Sequence, residues 1–304
     1  MTKPTTDNPQ LIGEYRARIN RVMDHVEANI GGGFSLEGLA GVAGFSKFHF
    51  NRIFHSVTGE SLFSFIQRVR TEKAACMLLN NRRTPITDIA YDCGFSSSAA
   101  FSRSFRNRFG MSATQWRATE RELTDVGAGR GSMENAGREY SVEPESVEIR
   151  TFDSKTLLYV RHTGPYKGDA DLFIRLYDRL FTWAAPRGLA DVRASETYVL
   201  YHDSIEITSG DRLRVSVCIE VPENTRPGGP TGILSFAGGR YLCARFRLGV
   251  TEYAEAWRWV FNRYFPSSGY QPDDGYSFEH YPVHDCTSCE GRTLVHICVP
   301  VRPL

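Results

Sequence analysis

The sequence has no long apolar run and no secretory signal. None of its uncharged apolar stretches approaches the roughly 20 residues that a membrane helix needs, and the start, MTKPTTDNPQ, lacks the basic and apolar blocks of a signal peptide. We therefore expect a cytoplasmic protein without a membrane partner. Its seven cysteines are an odd number scattered over 304 residues, which favours reduced thiols over a disulfide framework.

Motifs of common catalytic and nucleotide sites are also missing. The GGG at 31–33 follows a helical pattern and lacks the lysine of a nucleotide-binding loop, and no nucleophile elbow occurs. The stretch HYPVHDCTSC places His280, His284, Cys286 and Cys289 close together in sequence. Because it lacks the second ligand pair of a zinc finger, it favours a surface loop or a redox-sensitive thiol pair. We predict no metal and no cofactor.

Acidic residues are absent from two short stretches of the N-terminal part. The first 125 residues carry 16 Lys and Arg against 12 Asp and Glu, whereas the rest carry 20 against 23. Residues 44–59 and 94–110 contain basic residues and no acidic ones. Such surfaces attract phosphate, so the two parts of the chain are predicted to have different partners.

A segment rich in Gly, Ser and charge, TDVGAGRGSMENAGREYSVEPES, divides the chain. It has no apolar periodicity and therefore predicts a flexible linker. Helical patterns dominate before it, and short alternating strands appear between helical segments after it. The prediction is a multidomain fold with an all-α domain at 1–122, a linker at 123–146 and an α+β domain at 147–304.

Two stretches about fifty residues apart repeat one pattern. GFSKFHFNRIF begins at Gly44 and GFSSSAAFSRSF begins at Gly94. Each copy has a short helical segment, a glycine that can adopt the left-handed turn, and a second helical segment that a further glycine ends. This pattern predicts two helix-turn-helix motifs.

The segment between the repeats sets their separation. Ser61 to Leu79 has apolar residues at helical spacing and no Pro or Gly, and nineteen helical residues extend about 28 Å. Successive major-groove faces lie about 34 Å apart, so such a helix can hold two recognition helices on one side of a duplex. Two hairpins in an ordinary core, with solvated arginines, would give a similar pattern, but the duplicated acid-free face favours DNA.

Residues 14–120 resemble the DNA-binding domain of the AraC/XylS family of transcription activators. The resemblance lies in SLEGLAGVAGFSKFHFNRIFHSVTGESLFSFIQRVRTEKAACMLL and PITDIAYDCGFSSSAAFSRSFRNRFGMSATQWR. It implies double-stranded DNA and RNA polymerase as partners. It assigns base contacts to Phe48, Asn51, Arg52, Ser98, Ala99, Ser102 and Arg103, and phosphate contacts to Ser46, Lys47, His49, Arg106 and Asn107. Close relatives often carry Trp and Gln where this chain has Phe48 and Asn51, and the short side chains of the second helix imply weaker base reading there.

The C-terminal part contains a fainter duplication of strand, turn, amphipathic helix and aromatic strand. Two such units can pair into one twisted antiparallel sheet backed by two helices, with a groove that can hold a small molecule. Glu279 lies among aromatic residues in SFEHY. If it points inward, it favours an organic cation; strand alternation alone leaves an outward orientation equally open. The predicted ligand-binding residues are Tyr166, Tyr198, Tyr201, Trp257, Tyr276, Glu279 and Tyr281.

This part resembles the GyrI-like effector-binding domain through VRHTGPY, YVLYHD and SFEHY. The resemblance implies that Glu279 lines the pocket and that ligands are lipophilic and cationic. An AraC-type domain followed by a GyrI-like domain is the arrangement of the Rob-type regulators of drug and solvent tolerance. The favoured interpretation is therefore a sequence-specific transcription activator, without enzymatic activity, that senses a small molecule.

Two alternatives come from other classes. Some GyrI-like proteins hydrolyse small electrophiles with the pocket glutamate and a tyrosine, so the chain could be a small-molecule hydrolase fused to a DNA-targeting module. It could also be an interaction protein that binds DNA without sequence preference. Turnover of an electrophile would distinguish the first alternative, and equal affinity for random and promoter DNA at fixed salt would distinguish the second.

Overall fold

We describe the chain from a computed structural model that covers residues 9–80, 83–118, 140–283 and 291–304. It contains a helical unit and a sheet unit, as the sequence predicts. The helices of the first unit are α1 (Pro9–Ala28), α2 (Leu36–Ala43), α3 (Lys47–Thr58), α4 (Leu62–Asn80), α5 (Ile86–Asp92), α6 (Ser98–Phe109) and α7 (Ala113–Ala118). None of the described helices is both long and apolar enough to cross a membrane.

The pairs α2–α3 and α5–α6 are the two predicted helix-turn-helix motifs. Gly44 and Gly94 make their turns with φ of 66° and 81°, which glycine adopts without steric cost. At Gly94 the space is also closed, because a Cβ atom would lie 2.5 Å from the carbonyl oxygen of Ile30. The glycines that end α3 and α6 are left-handed as well. The predicted turn and end glycines of both motifs are therefore confirmed.

Aromatic side chains form the core under each motif. Phe50 and Phe54 of α3 are fully buried, and the Phe54 ring lies 5.5 Å from that of Phe65 on α4. In the second motif Phe101 and Phe105 are buried in the same way. These rings account for the inner faces of α3 and α6, and they leave the opposite faces of both helices toward solvent.

The helix α4 runs uninterrupted for 19 residues, one residue later than predicted at each end. It is buried on more than one side, since Phe65, Val69, Ala74 and Leu78 are all enclosed. At about 1.5 Å per residue its length is about 28 Å. The predicted helix between the two motifs is therefore present, with the predicted length.

Among its described residues, the sheet unit has nine strands and two main helices. Its elements are β1 (Ser146–Phe152), β2 (Lys155–Thr163), α8 (Ala170–Ala184), β3 (Thr197–Tyr201), β4 (Arg214–Glu220), β5 (Gly232–Phe236), β6 (Gly239–Leu248), α9 (Tyr253–Trp259), β7 (Tyr270–Pro272), β8 (Ser277–Tyr281) and β9 (Thr293–Pro303). The strand order is β1-β6-β9-β8-β3-β4-β2-β5, with β7 paired to β9.

The predicted duplication is visible in this strand order. The first unit, β2-α8-β3-β4, and the second, β6-α9-β8-β9, each fold into three neighbouring antiparallel strands and a helix. The units join where β3 pairs with β8, and Val199 lies opposite Glu279 in that register. Glu279 therefore lies at the seam between the two halves.

The end of the predicted linker belongs to the sheet unit. Val142 is 4% exposed, the backbone N–H of Ser141 donates to Glu255 Oε1 at 2.6 Å, and Trp259 Nε1 donates to Glu143 Oε2 at 3.0 Å. Contacts with the sheet unit thus extend to residues before 147, because one apolar side chain and two polar contacts hold a segment that looks featureless in sequence. Residues 119–139, which include most of the predicted linker, lie outside the described residues.

The described cysteines carry reduced thiols. They are Cys76, Cys93, Cys218, Cys243 and Cys298, and all but the first are buried. This agrees with the expectation of reduced cysteines used as small apolar residues. Cys286 and Cys289, like His284, lie outside the described residues.

Candidate functional site

The outer face of α3 carries all six residues predicted to contact DNA in the first motif. They are Ser46, Lys47, Phe48, His49, Asn51 and Arg52, and each is exposed. Phe48 is 77% exposed although its neighbour Phe50 is fully buried, so an aromatic ring is held in solvent beside polar and basic groups. The Lys47 ammonium lies 5.4 Å from the centre of that ring.

The outer face of α6 has the corresponding arrangement. Ser98, Ala99, Ser102, Arg103, Arg106 and Asn107 are all exposed. The helix starts at a capped end, where Ser97 Oγ accepts from the backbone N–H of Ala100 at 3.2 Å. Both second helices therefore present their predicted contact residues outward, while the contacts themselves stay a prediction.

One acidic side chain enters the first face from another helix. Glu37 on α2 lies with Oε1 3.2 Å from Lys47 Nζ. The pKa of Glu37 is held below its usual value, first by a backbone hydrogen bond at the start of α2 and then by Lys47. The stretch 44–59 is free of acid in sequence, but the folded surface around Lys47 is not.

In the sheet unit, Glu279 is enclosed by aromatic hydrogen-bond donors. Glu279 is 3% exposed. Its Oε1 accepts from Trp257 Nε1 at 2.7 Å, its Oε2 accepts from the Tyr281 hydroxyl at 2.7 Å, and Tyr201 hydrogen-bonds to it as well. We call these four residues the Glu279 cage. The question that strand alternation left open is answered, because Glu279 points inward.

Further rings extend the cage. Tyr201 and Trp257 meet edge to face with their centroids 5.5 Å apart, and the ring of Tyr166 lies 5.7 Å from that of Tyr201. The predicted pocket residues Tyr166, Tyr201, Trp257, Glu279 and Tyr281 are thus brought together. An acidic group among aromatic faces is a chemical match for an organic cation.

The electrostatics of the cage are those of a buried acid. Burial raises the pKa of Glu279 above its ordinary value, although the hydrogen bonds from Trp257, Tyr281 and Tyr201 act in the opposite direction. Burial, and then the Glu279 charge, also raise the pKa of the Tyr201 and Tyr281 hydroxyls far above the usual range. In the described part of the chain, no basic side chain lies within ion-pair distance of Glu279.

Two predicted pocket residues lie on the other face of the sheet. Tyr198 stacks on His280 with centroids 4.9 Å apart, and the ring of Tyr276 lies 5.1 Å from that of His202. Successive side chains of a strand point to opposite faces, so Tyr198 and Tyr201, three residues apart, cannot line one pocket. The structure therefore does not bring Tyr198 and Tyr276 together with Glu279, and their role in ligand binding stays a prediction.

Two tyrosines beside the cage were missed. The hydroxyl of Tyr177 on α8 lies 3.3 Å from Thr197 Oγ1, and the hydroxyl of Tyr253 on α9 hydrogen-bonds to Tyr281 and Thr293. Tyr253 precedes Trp257 by one helical turn, which places both on one helix face. That spacing was a usable signal in the sequence.

The histidine of the suspected zinc cluster has another environment. His280 Nε2 lies 3.1 Å from Glu196 Oε2, and its ring centroid is 5.4 Å from that of His296. Burial lowers the pKa of both imidazoles, to about 4 for His296. Across residues 9–80, 83–118, 140–283 and 291–304, no group of three or more potential ligands could hold a metal ion.

Comparisons with known proteins cover both units. Residues 145–302 match the family described as GyrI-like small molecule binding domain, and residues 39–119 match a helix-turn-helix domain family. The DNA gyrase inhibitor of Edwardsiella piscicida is 30% identical over 160 residues, which are 51% of this chain and 97% of that protein. The right origin-binding protein of Escherichia coli strain K12 is 35% identical over 92 residues, which are 30% of this chain and 32% of that protein.

Among solved structures, the DNA-binding domain of AdpA in complex with a target DNA aligns with a TM-score of 0.32 at 28% identity. The alignment covers 33% of this chain and 90% of that one. The chain thus spans nearly the whole length of the gyrase inhibitor, but about a third of the origin-binding protein.

Proposed function

Because the chain belongs to the GyrI-like small-molecule-binding family and carries an AraC-type helix-turn-helix domain, we propose that it is a transcription regulator that binds DNA through α3 and α6. Its sheet unit senses a small molecule. The observation that carries the proposal is the exposure of all twelve predicted contact residues on two outward helix faces. RNA polymerase is a partner by family resemblance, and the protein acts as an activator.

The side chains on α3 favour base reading. Arg52 can bond the edge of guanine with two hydrogen bonds, Asn51 can do the same with adenine, and the exposed ring of Phe48 can contact a thymine methyl group. On α6 the side chains of Ser98, Ser102 and Ala99 are shorter. This helix therefore contributes more through the phosphate contact of Arg106 than through base contacts. One chain then binds an asymmetric site of about twenty base pairs, with the first motif reading the sequence more strongly.

The sheet unit supplies the sensor. The Glu279 cage combines a carboxylate with aromatic faces in a place shielded from water, which favours a lipophilic organic cation. Such an effector changes transcription only if it binds two states of the protein with different affinity. The first domain boundary at 122 and the identity of the effector belong to this proposal.

A matched pair of arginine substitutions tests the DNA-binding part. Arg52→Ala should cost about 1–3 kcal/mol on the selected site and relax the choice at one base, whereas Arg106→Ala should weaken binding to all sequences alike. The measurement is a titration of the selected duplex and its single-base variants at fixed salt. Unchanged base preference in Arg52→Ala would show that the contact assignment is wrong.

One observation favours a second candidate. The hydroxyl of Tyr281 donates to Glu279 at 2.7 Å, and a glutamate beside a tyrosine is the pair that a GyrI-like hydrolase would use. If the chain hydrolyses small electrophiles, the purified protein should turn them over and Glu279→Gln should abolish the reaction. Absence of turnover in the unsubstituted protein removes this candidate.

A further inference from the structure

We propose that four charged side chains of the helical unit, Glu60, Arg68, Glu72 and Arg108, fix α3 and α6 on α4 in the geometry needed for simultaneous reading. Glu72 is the positioning residue at the centre of this group. The inference rests on the proposed function, since it concerns the spacing of two DNA-reading helices. We call the four residues the charge chain, because positive and negative groups alternate along it.

The charge chain begins at the end of α3. Glu60 follows Gly59, whose backbone N–H closes α3 by bonding His55 O at 2.8 Å. Arg68 of α4 holds both oxygens of the Glu60 carboxylate, with Nη2 2.7 Å from Oε1 and Nε 3.3 Å from Oε2. A fork of this kind fixes the orientation of both partners as well as their distance.

Glu72 continues the charge chain to α6. It lies one turn after Arg68, and its Oε2 accepts from Arg68 Nη1 at 2.9 Å. Its other oxygen, Oε1, accepts from Nη2 of Arg108 on α6. Beside it, the hydroxyls of Thr71 and Ser104 meet at 2.8 Å. Glu72 thus joins the α4 arginine that grips the end of α3 to an arginine of the second recognition helix.

Burial indicates that the charge chain serves geometry more than stability. The side chains of Glu60, Arg68 and Glu72 are 9%, 7% and 7% exposed, and Arg108 is 29% exposed. Removing such groups from water is costly, and apolar side chains of similar size often stabilise a fold as well or better. Apolar contact is non-directional, however, whereas the carboxylate and guanidinium geometry is directional. We therefore assign the charge chain to the relative orientation of the two helices.

DNA makes that orientation consequential. Inserting one base pair moves a half-site by about 3.4 Å and rotates it by about 35° around the duplex. Two recognition helices held rigidly on one rod cannot follow both changes. Glu72 then controls which half-site spacing the protein prefers, although it does not contact DNA.

The experiment uses the full chain and a duplex selected by it from a random pool of about 24 base pairs. Variants of that duplex carry one base pair more or fewer between the half-sites, and another has one half-site scrambled. The unsubstituted protein should bind the altered spacings about tenfold more weakly, as for a lost base contact. Glu72→Gln should bind all spacings within about threefold while its affinity for the single half-site is unchanged.

A matched control and a second variant complete the test. Glu14→Gln removes an exposed carboxylate that pairs with Arg18 on α1 and should keep the full spacing preference. Arg108→Gln removes the link to α6 and leaves the pair Arg68–Glu72 intact. If circular dichroism shows that Glu72→Gln does not fold, Arg108→Gln tests the same loss of spacing preference. Full spacing preference in a folded Arg108→Gln or Glu72→Gln protein would overturn the inference. If no sequence is enriched from the pool, the proposed function fails, and this inference fails with it.

Discussion

Replacing Glu279 with Gln should raise the stability of the empty protein at neutral pH and lower its affinity for a cationic ligand. Gln keeps the shape of the side chain, and its carbonyl oxygen can still accept from Trp257 Nε1, which now lies 2.7 Å from Oε1. The amide group can donate to the Tyr281 hydroxyl, which now donates to Oε2. The substitution therefore removes the charge of a residue that is 3% exposed while it preserves most of the packing.

The first effect is on stability. Because burial raises the pKa of Glu279 in the folded state, the folded chain binds a proton more tightly than the unfolded chain does. The stability contributed by the protonated group is complete below the unfolded pKa and is lost as pH rises through the folded pKa. Gln cannot ionise, so Glu279→Gln should raise the thermal midpoint of the empty protein at neutral pH, and the difference should shrink as the pH falls toward the unfolded pKa.

The second effect is on ligand binding. A unit cation about 4 Å from the carboxylate gains about 4 kcal/mol of attraction at an effective dielectric constant of about 20, and desolvation removes part of this gain. A net loss of about 1–3 kcal/mol, or roughly 5- to 150-fold in affinity, is expected for Glu279→Gln. Affinity of the unsubstituted protein should also rise with pH through the raised pKa, because the bound cation favours the ionised carboxylate.

The assay compares phenyltrimethylammonium with its uncharged isostere tert-butylbenzene by isothermal titration calorimetry across the pH range. The cation should lose affinity in Glu279→Gln and the isostere should not. Buffers of different ionisation enthalpy should reveal proton release only with the cation and only in the unsubstituted protein. Equal losses for both probes, or a variant that is less stable at neutral pH, would refute the reasoning.

Two further outcomes concern the helical unit. Glu37→Gln should tighten DNA binding about two- to fivefold at low salt, because it removes a carboxylate 3.2 Å from Lys47 Nζ, and the gain should fade as added salt screens the surface; a gain that persists at high salt would contradict this. Phe54→Ala should destabilise the unit by about 3–5 kcal/mol in denaturant unfolding, since its ring is fully buried. Phe48→Ala should change stability by less than about 0.5 kcal/mol while it weakens DNA binding, and the opposite ranking of the two phenylalanines would contradict the assignment of inner and outer faces.

The helical unit was predictable because its signals are local. A glycine such as Gly44 needs only its own φ of 66° to end a helix and turn the chain. The spacing of Phe50 and Phe54 defines the inner face of α3 without reference to the rest of the molecule. The outer faces of both recognition helices follow directly from that periodicity.

The parts that escaped prediction depend on contacts between distant residues. The inward orientation of Glu279 follows from its register opposite Val199, 80 positions earlier in the chain, and a single sequence carries no record of that pairing. The sequence also does not show that Tyr198 lies on the opposite face of the sheet from Glu279, since an aromatic residue fits either face of a strand that is buried on both. Glu37 meets Lys47, and Glu72 meets Arg108, only after helices have packed.

Under the proposed function, the position of Glu279 would give the duplicated fold a role in sensing. The carboxylate lies on β8 where the second strand-helix-strand-strand unit pairs with β3 of the first, and its donors come from both, with Tyr201 on β3 and Trp257 on α9. A ligand that draws either donor away from the carboxylate therefore acts on the seam between the halves. Because a buried charge without a basic partner is costly, the empty state is the less favourable one for the ionised carboxylate. The free energy that an arriving cation recovers is then available to bias the arrangement of the two halves, which is the differential affinity that a sensor requires.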